Sequence, residues 1–347
     1  MKFIFFISVQ EMKTADFFCG IGGIRLGFER ANSSFKNVFS NEIDKKAIVT
    51  YEANFKDGIP VNSKSISDLK EDDIPNFDIL LAGFPCQSFS LAGNKKGFND
   101  PRGNLFFEII RILKMKKPAI CLLENVKNIK THDNGNTFKT ILEQLTKAGY
   151  HVKFDILNSC LHGNIPQNRE RIFIIGFLNI DHYHKFEFPS ETKLTKQIKD
   201  CIEDENKIDN KFYYTNSSKI FNELQKQVVK DVFQNQIYQY RRTIVRENKS
   251  DVCPTLTANM GVGGHNVPII RIKNKIRKLT PRECLRFQSF PENYILPDIS
   301  NCHLYKQIGN SVTVSVIERI AKNIYDVISK NDFSKEPKMI LKDQNKS

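Results

Sequence analysis

Residues 13–28 read KTADFFCGIGGIRLGF, and this stretch decides the fold. A short apolar run, 13–18, ends in Cys19-Gly20-Ile21-Gly22-Gly23, and Ile24, Leu26 and Phe28 then recur at a helical spacing. A strand, a glycine turn and a helix in succession open a βα unit, in which the turn lets a ligand approach the backbone. Working outward, 36–41 reads as a second strand ending at Asn41-Glu42, with a helix over about 44–54. The run FDILLA, 77–82, is a buried strand ending at Gly83-Phe84-Pro85-Cys86; a glycine-spaced loop spans 86–104, and an amphipathic helix runs from Leu105 to Lys114. The run AICLL, 119–123, is another buried strand and ends at Glu124-Asn125. Thr137–Ala148 is helical, and 152–158 and 171–177 are strands. This alternation predicts an α/β fold: a doubly wound, mostly parallel, Rossmann-like sheet with helices on both faces.

The texture changes after about 180. Residues 181–300 carry few clear helices and many polar residues, which predicts a smaller, irregular mixed domain; 314–329 returns to a helical period. The tail, 331–347, is polar and reads as frayed. At the other end, Phe3–Ile7 is too short an apolar run for a signal peptide or a membrane span, and Met12 opens the first strand. Residues 1–11 are therefore expected to be an extension without a functional role.

The chain has 347 residues, 40% of them hydrophobic and 26% charged, which fits about two globular domains and excludes a disordered chain, a collagen-like chain and a membrane bundle. Its net charge is +13. Between 241 and 286 there are eleven Lys and Arg against three Asp and Glu, a local excess of +8. Such a surplus points to a polyanionic partner, nucleic acid first and a membrane surface second. The eight cysteines are scattered with no C-x-x-C, so neither a zinc site nor a dithiol redox motif is expected, and the thiols read as reduced and cytosolic.

In an open α/β sheet, ligands sit beyond the carboxyl ends of the strands. Three such ends hold unusual residues here: the glycine turn, Pro85-Cys86 and Glu124-Asn125. Glu42, about 20 residues past the turn, is placed to hold ribose hydroxyls. Turn and acid together favour an adenosine-containing cofactor, without separating a nicotinamide dinucleotide from S-adenosylmethionine. A thiol after a proline at a strand end, as at Cys86, is accessible and can serve as a nucleophile.

Six segments in order carry a resemblance: DFFCGIGGIRLGF (16–28), GFPCQSFSLAG (83–93), ENV (124–126), GNIPQNRERIFIIGF (163–177), RKLTPRECLRFQSFP (277–291) and YKQIGNSV (305–312). They are similar to the signature motifs of the C5-cytosine DNA methyltransferases, in that family's order and spacing. The resemblance implies a catalytic, S-adenosylmethionine-binding domain from 12–180 completed by 302–330, and a target-recognition domain over 181–301. Cys86 matches the nucleophile that adds to cytosine C6. Glu124 matches the acid at ring N3, and Arg171, less directly Arg169, match the pair that holds O2 and the nearby phosphate. Phe18, Gly20, Ile21, Gly23, Glu42, Ile43, Ser65, Ile66, Pro85, Leu105, Asn310 and Ser311 fall on cofactor-binding positions. Ser65 departs from the family's common Asp at the adenine contact, with Asp68 three residues on, which implies a weaker adenine contact.

A stacked cytosine cannot be attacked at C6, so the base must leave the duplex. The loop 86–104 is the expected lid. Gln87, Arg102, Arg241, Arg242, Thr255 and Gly263 fall on expected DNA-binding positions, the last two within PTLTANMGVGGHNVP (254–268). The resemblance further implies a monomer in the bacterial cytoplasm, associated with the nucleoid and not with a membrane. It implies a cognate restriction endonuclease acting on the same site without physical association, and no metal. A tRNA cytosine methyltransferase and an inactive DNA-binding homologue are the alternatives; a nicotinamide oxidoreductase would leave Pro85-Cys86 unexplained.

Overall fold

Ile79, Leu80, Leu81 and Ala82 are all essentially buried, so this run is a strand covered on both faces. It lies at the centre of a six-stranded sheet in the computed structural model, which describes residues 11–85, 105–241, 243–261 and 267–329. The strands are β1 (Met12–Phe17), β2 (Phe35–Asn41), β3 (Ile79–Gly83), β4 (Ile120–Val126), β5 (His151–Asn158) and β7 (Glu170–Phe177), in the order β2-β1-β3-β4-β7-β5. The β1–β2, β1–β3 and β3–β4 pairs are parallel, and β7 runs antiparallel between β4 and β5. The short β6 (Gln167–Asn168) lies outside this sheet.

The longer helices are α1 (Gly23–Ala31), α2 (Lys45–Asn54), α3 (Leu105–Lys116), α4 (Asn136–Lys147), α5 (Asn301–Asn310) and α6 (Val314–Ser329). Alternate residues of each strand meet different helices. Leu80 and Ala82 pack with Phe106 and Ile109 of α3 and Ile141 of α4. Ile79 and Leu81 pack with Ile24 and Phe28 of α1 and Ile317 and Ile320 of α6. The sheet is thus wound on both faces, and the last helix of the chain closes against the first.

The segment that reads as irregular contains a second, antiparallel sheet. Its strands are β8 (Tyr238–Arg241), β9 (Ile244–Glu247), β11 (Ile269–Ile272) and β12 (Lys275–Lys278), in the order β12-β11-β8-β9. Each strand is four residues long, too short to print a period of two on the sequence. The two-residue β10 (Cys253–Pro254) pairs in parallel with β6, joining this region to the approach to β7.

α5 belongs to both regions. Tyr305 and Ile308 pack in one cluster with Leu256, Met260, Leu279 and Cys284, and Ile21 of the glycine turn enters the same cluster. The approach is close enough that a Cβ at Gly309 would lie 2.2 Å from the Thr257 carbonyl carbon, so only glycine fits there.

Candidate active site at the carboxyl ends of the strands

The glycine turn is held from three sides. Gly22 adopts φ 76, a left-handed conformation that glycine takes without a Cβ clash. Its N–H donates to the Cys19 carbonyl at 2.7 Å, and the Cys19 N–H donates to Asn41 at the end of β2 at 3.1 Å. The Tyr294 hydroxyl donates to the Ile21 carbonyl at 2.5 Å. Glu42 spans the gap between β1 and β2: Oε2 accepts the Gly20 N–H at 2.9 Å, and Oε1 accepts the N–H groups of Ile43 and Asp44 at 2.8 and 2.9 Å. Its carboxylate therefore sits at the turn.

The chain's far end reaches the same place. A Cβ at Gly23 would meet Ser311 Oγ at 2.6 Å, so the GNSV run packs directly on the turn. Asn310 is exposed beside it. Lys306 Nζ meets Asp44 at 2.9 Å, tying α5 to the cap of α2, and this pairing helps hold the Asp44 carboxyl below its ordinary value against the opposing effect of burial. Ile43 is 66% exposed, an apolar side chain standing open next to Glu42. A Cβ built on Gly20 meets nothing within 4 Å. Open space over the turn, a carboxylate at its rim and a bare apolar side chain suit an adenosine-containing molecule. Phe18 is partly buried with φ 55, and Leu105 packs against the same α3-side core. Ile66 is buried, whereas Ser65 is half-buried and its hydroxyl is shared with Ser67 at 2.8 Å. Asp68 is exposed.

Glu124 stands two strands away from β1, opposite Gly83 in the β3–β4 register. Arg171 lies on the neighbouring antiparallel strand, and its Nε meets Glu124 Oε1 at 3.1 Å. Burial pushes the Glu124 carboxyl up from its ordinary value; Arg171 and then Arg169 pull it down, and burial prevails. The result is an acid inclined to keep a proton beside a cation. Asn125 orders the edge of this site, because its amide donates to the Phe84 carbonyl at 2.9 Å while its Oδ1 accepts the Val126 N–H. Pro85 is exposed at the mouth. Cys86, Gln87, Arg102, Arg242 and Gly263, and the expected lid 86–104, lie outside the described residues.

Arg169 is 2% exposed and makes its hydrogen bonds to partners other than those of Arg171. Its Nη1 donates to the Leu256 carbonyl at 2.7 Å, and its Nη2 donates to the carbonyls of Gly309, at 3.1 Å, and Ser311. One guanidinium thus ties the residue between β6 and β7 to Leu256 and to the end of α5. Thr255 is drawn in alongside, its hydroxyl donating to the Asn168 carbonyl at 2.6 Å. Arg241 is exposed at the end of β8.

Sequence reading overlooked the polar network beneath these residues. Gln167 accepts the Leu256 N–H at 3.0 Å and donates to the Phe287 carbonyl at 2.6 Å. Gln288 donates to the Ile308 carbonyl and accepts from Thr313, both at 3.0 Å, and Thr313 meets Ser159 at 2.7 Å. The available signal was a glutamine set inside an apolar run, Phe287-Gln288-Ser289-Phe290. Away from all of this, a cavity of about 720 Å³ opens between β5 and residues 187–191; it contains none of the predicted site residues. No described helix is long and apolar enough to cross a membrane.

The family model of the C-5 cytosine-specific DNA methylases matches residues 12–326. The chain is 55% identical over 316 residues to the type II methyltransferase M.Bsp6I of Bacillus sp. (strain RFL6), covering 90% of this chain and 98% of that one. It is 43% identical over 326 residues to M1.ScrFI of Lactococcus lactis subsp. cremoris, covering 93% and 80%. Among solved structures, the S. pombe Dnmt2 methyltransferase superposes with a TM-score of 0.71 over 92% of this chain and 99% of that one, at 21% identity, which speaks for the fold. A match over nearly the whole sheet, the glycine turn and the Glu124–Arg171 strand ends leaves one assignment: the chain belongs to the C-5 cytosine-specific DNA methylase family and is a methyltransferase.

Proposed function

We propose that the protein transfers the methyl group of S-adenosylmethionine to C5 of a cytosine flipped out of a short, specific duplex DNA sequence, through a covalent bond between Cys86 and C6. The observation that carries this reading is the Glu124–Arg171 pair, 3.1 Å apart on β4 and its neighbour β7, where β4 pairs with β3, the strand that leads in sequence to Pro85 and Cys86. Cytosine C5 is a weak nucleophile until a thiolate adds at C6. A free thiol is only a few per cent ionised at neutral pH, so addition needs help at the ring. Glu124, inclined by burial to hold its proton, donates to N3; Arg171 steadies the charge that gathers on O2. Arg169 acts through others, as a positioning residue that aligns β7 with Thr255 and Ser311. The cofactor supplies an electrophilic methyl on a sulfonium. For it, Phe18, Gly20, Ile21 and Gly23 provide a floor, Glu42 a ribose contact, Ile43, Ser65 and Ile66 an adenine side, and Pro85, Leu105, Asn310 and Ser311 the methionine side.

In this reading 12–180 and 302–330 form the catalytic unit and 181–301 the target-reading unit. Arg241, Arg242, Thr255 and Gly263 meet DNA there, with Gln87 and Arg102 on the lid side. The type II relatives support a restriction endonuclease that cuts the same sequence. The test is a trapping experiment on duplex DNA carrying 5-fluorocytosine, whose fluorine cannot leave as the C5 proton does. With S-adenosylmethionine present, a denaturation-resistant adduct is expected with the native chain and none with Cys86→Ser. An undiminished adduct in the mutant would place the nucleophile elsewhere. Label transfer to tRNA instead of duplex DNA would redirect the substrate.

A further inference from the structure

The glycine turn is gripped by a side chain from the 181–301 region. Tyr294 is 3% exposed, and its hydroxyl donates to the Ile21 carbonyl at 2.5 Å. The peptide that joins Ile21 to Gly22 is thereby pinned at both ends, since its N–H donates to the Cys19 carbonyl at 2.7 Å. Glycine takes φ of either sign freely, so with Gly22 after it this peptide can rotate once a tie is lost. Tyr294 is itself held on two sides. Its ring meets that of Phe290 edge-on at 4.7 Å between centroids, and a Cβ at Gly23 would lie 3.3 Å from the same Phe290 ring. The next residue, Ile295, exchanges two hydrogen bonds with Asn54 at the end of α2. Its N–H donates to Asn54 Oδ1 at 2.6 Å, and its carbonyl accepts the Asn54 amide at 2.9 Å. Two consecutive residues thus tie the β1–α1 turn to the helix that follows Glu42.

A buried carbonyl stripped of its donor is costly to leave unpaired, and turning toward water relieves it. Open space lies close at hand, because a Cβ on Gly20 meets nothing within 4 Å. That space is the one assigned above to the cofactor. We propose that Tyr294 is a positioning residue for S-adenosylmethionine: with Asn54 fixing Ile295 behind it, its hydroxyl keeps the Ile21–Gly22 peptide turned out of the space in which the cofactor lies. The inference rests on the cofactor reading above. The phenol is buried, so it acts on the ligand through the backbone. Its loss therefore falls on cofactor affinity, and not on the rate of the saturated enzyme. Tyr305 is a matched comparison. It is 2% exposed in the same apolar cluster, and its hydroxyl also donates to a main-chain carbonyl, that of Leu279, which is no part of the turn.

Calorimetric titration of the full chain with S-adenosylmethionine and with S-adenosylhomocysteine, beside steady-state methyl transfer to duplex DNA, tests this. Tyr294→Phe removes a single hydroxyl. It should weaken both ligands about tenfold and raise the KM for S-adenosylmethionine to match, with kcat close to native. Asn54→Ala should weaken both ligands in the same direction, to a lesser degree. Tyr305→Phe should lower the denaturant midpoint about as far as Tyr294→Phe does and leave both affinities native, which separates positioning from stability. Native affinity in Tyr294→Phe, or an equal loss of affinity in Tyr305→Phe, would overturn the inference. If Tyr294→Phe does not fold, Asn54→Ala decides, since native affinity in that variant overturns it as well. Binding of neither ligand to the native chain would instead remove the cofactor reading, and this inference with it.

Discussion

The two sheets each hold a buried carboxylate–guanidinium pair, and the pairs are finished to different degrees. In the smaller region Arg277 and Glu283 are both 0% exposed and meet through two contacts of 2.8 Å. Glu283 also accepts the N–H groups of Thr280 and Glu203, and Arg277 reaches Glu205 and the Lys278 carbonyl. Both groups are fully engaged. At the ends of the six-stranded sheet, Glu124 and Arg171 share one contact of 3.1 Å, and Arg171 spends Nη1 on its neighbour's carbonyl. One pair has nothing left to give a substrate. In the other, a carboxyl oxygen and a guanidinium nitrogen have no hydrogen-bond partner among the described residues. A buried charge whose hydrogen-bonding capacity is exhausted holds structure, whereas one left half-satisfied at a strand end is available for chemistry.

The largest expected effect tests the unfinished pair. Glu124→Gln keeps the shape and loses the acidic proton, so methyl transfer should fall by ~10²–10⁴-fold with DNA binding retained. Single-turnover rates beside gel-shift affinities measure the two separately. Turnover close to native would mean that the pair is structural, like its counterpart.

Next comes the finished pair. Glu283→Ala strands Arg277 in the interior and should cost ~3–5 kcal/mol of stability. Denaturant unfolding measures this, and a loss below ~1 kcal/mol would show that Arg277 finds other partners. The same contrast explains what the sequence revealed. Glu124, Arg171 and the glycine turn sit in continuous motifs at the ends of apolar strands, so local reading reached them. Glu283 and Arg277 lie in a motif too, yet the Glu203 N–H that meets Glu283 is 80 residues away and the Glu205 carboxylate that meets Arg277 is 72 away, in a stretch without periodicity. The four-residue strands β8, β9, β11 and β12 were illegible for the same reason, as they pair across distance and carry too few alternations. Arg169 was legible as a residue, and its backbone partners were not. Its type and spacing matched a base-holding pair, and only the fold shows its guanidinium turned onto three carbonyls. Asp16 was printed within KTADFF, where an acid inside a buried strand was the signal left unread.

A smaller effect concerns Asp16, a buried carboxyl with no hydrogen-bond partner among the described residues. Folded, it keeps its proton up to about 8; unfolded, it loses it near the ordinary carboxyl value. The folded state therefore binds more protons in between. Its contribution to stability is whole below the unfolded value and is lost as pH rises through the folded one, by up to ~1.4 kcal/mol per pH unit. Asp16→Asn should accordingly melt increasingly above the native chain between pH 5 and 8. Parallel melting curves across that range would mean that the carboxyl finds a partner in solution.

The smallest effect belongs to a charge that faces water. Arg241 is exposed at the end of β8, where the hairpin turns toward β9, and it makes no ion pair among the described residues. By the reasoning applied to the two buried pairs, an exposed cation whose side chain bonds no described residue is the extreme of availability. If it meets a DNA phosphate, Arg241→Ala should lower the dependence of log affinity on log salt by about 0.9 and weaken all sequences alike. If it reads a guanine edge, the mutation should instead cost ~1–3 kcal/mol at one base pair and relax specificity there. Affinity measured against salt for the target and for single-base variants separates the two. A mutant with the native salt slope and the native site preference would show that Arg241 on this hairpin meets only solvent.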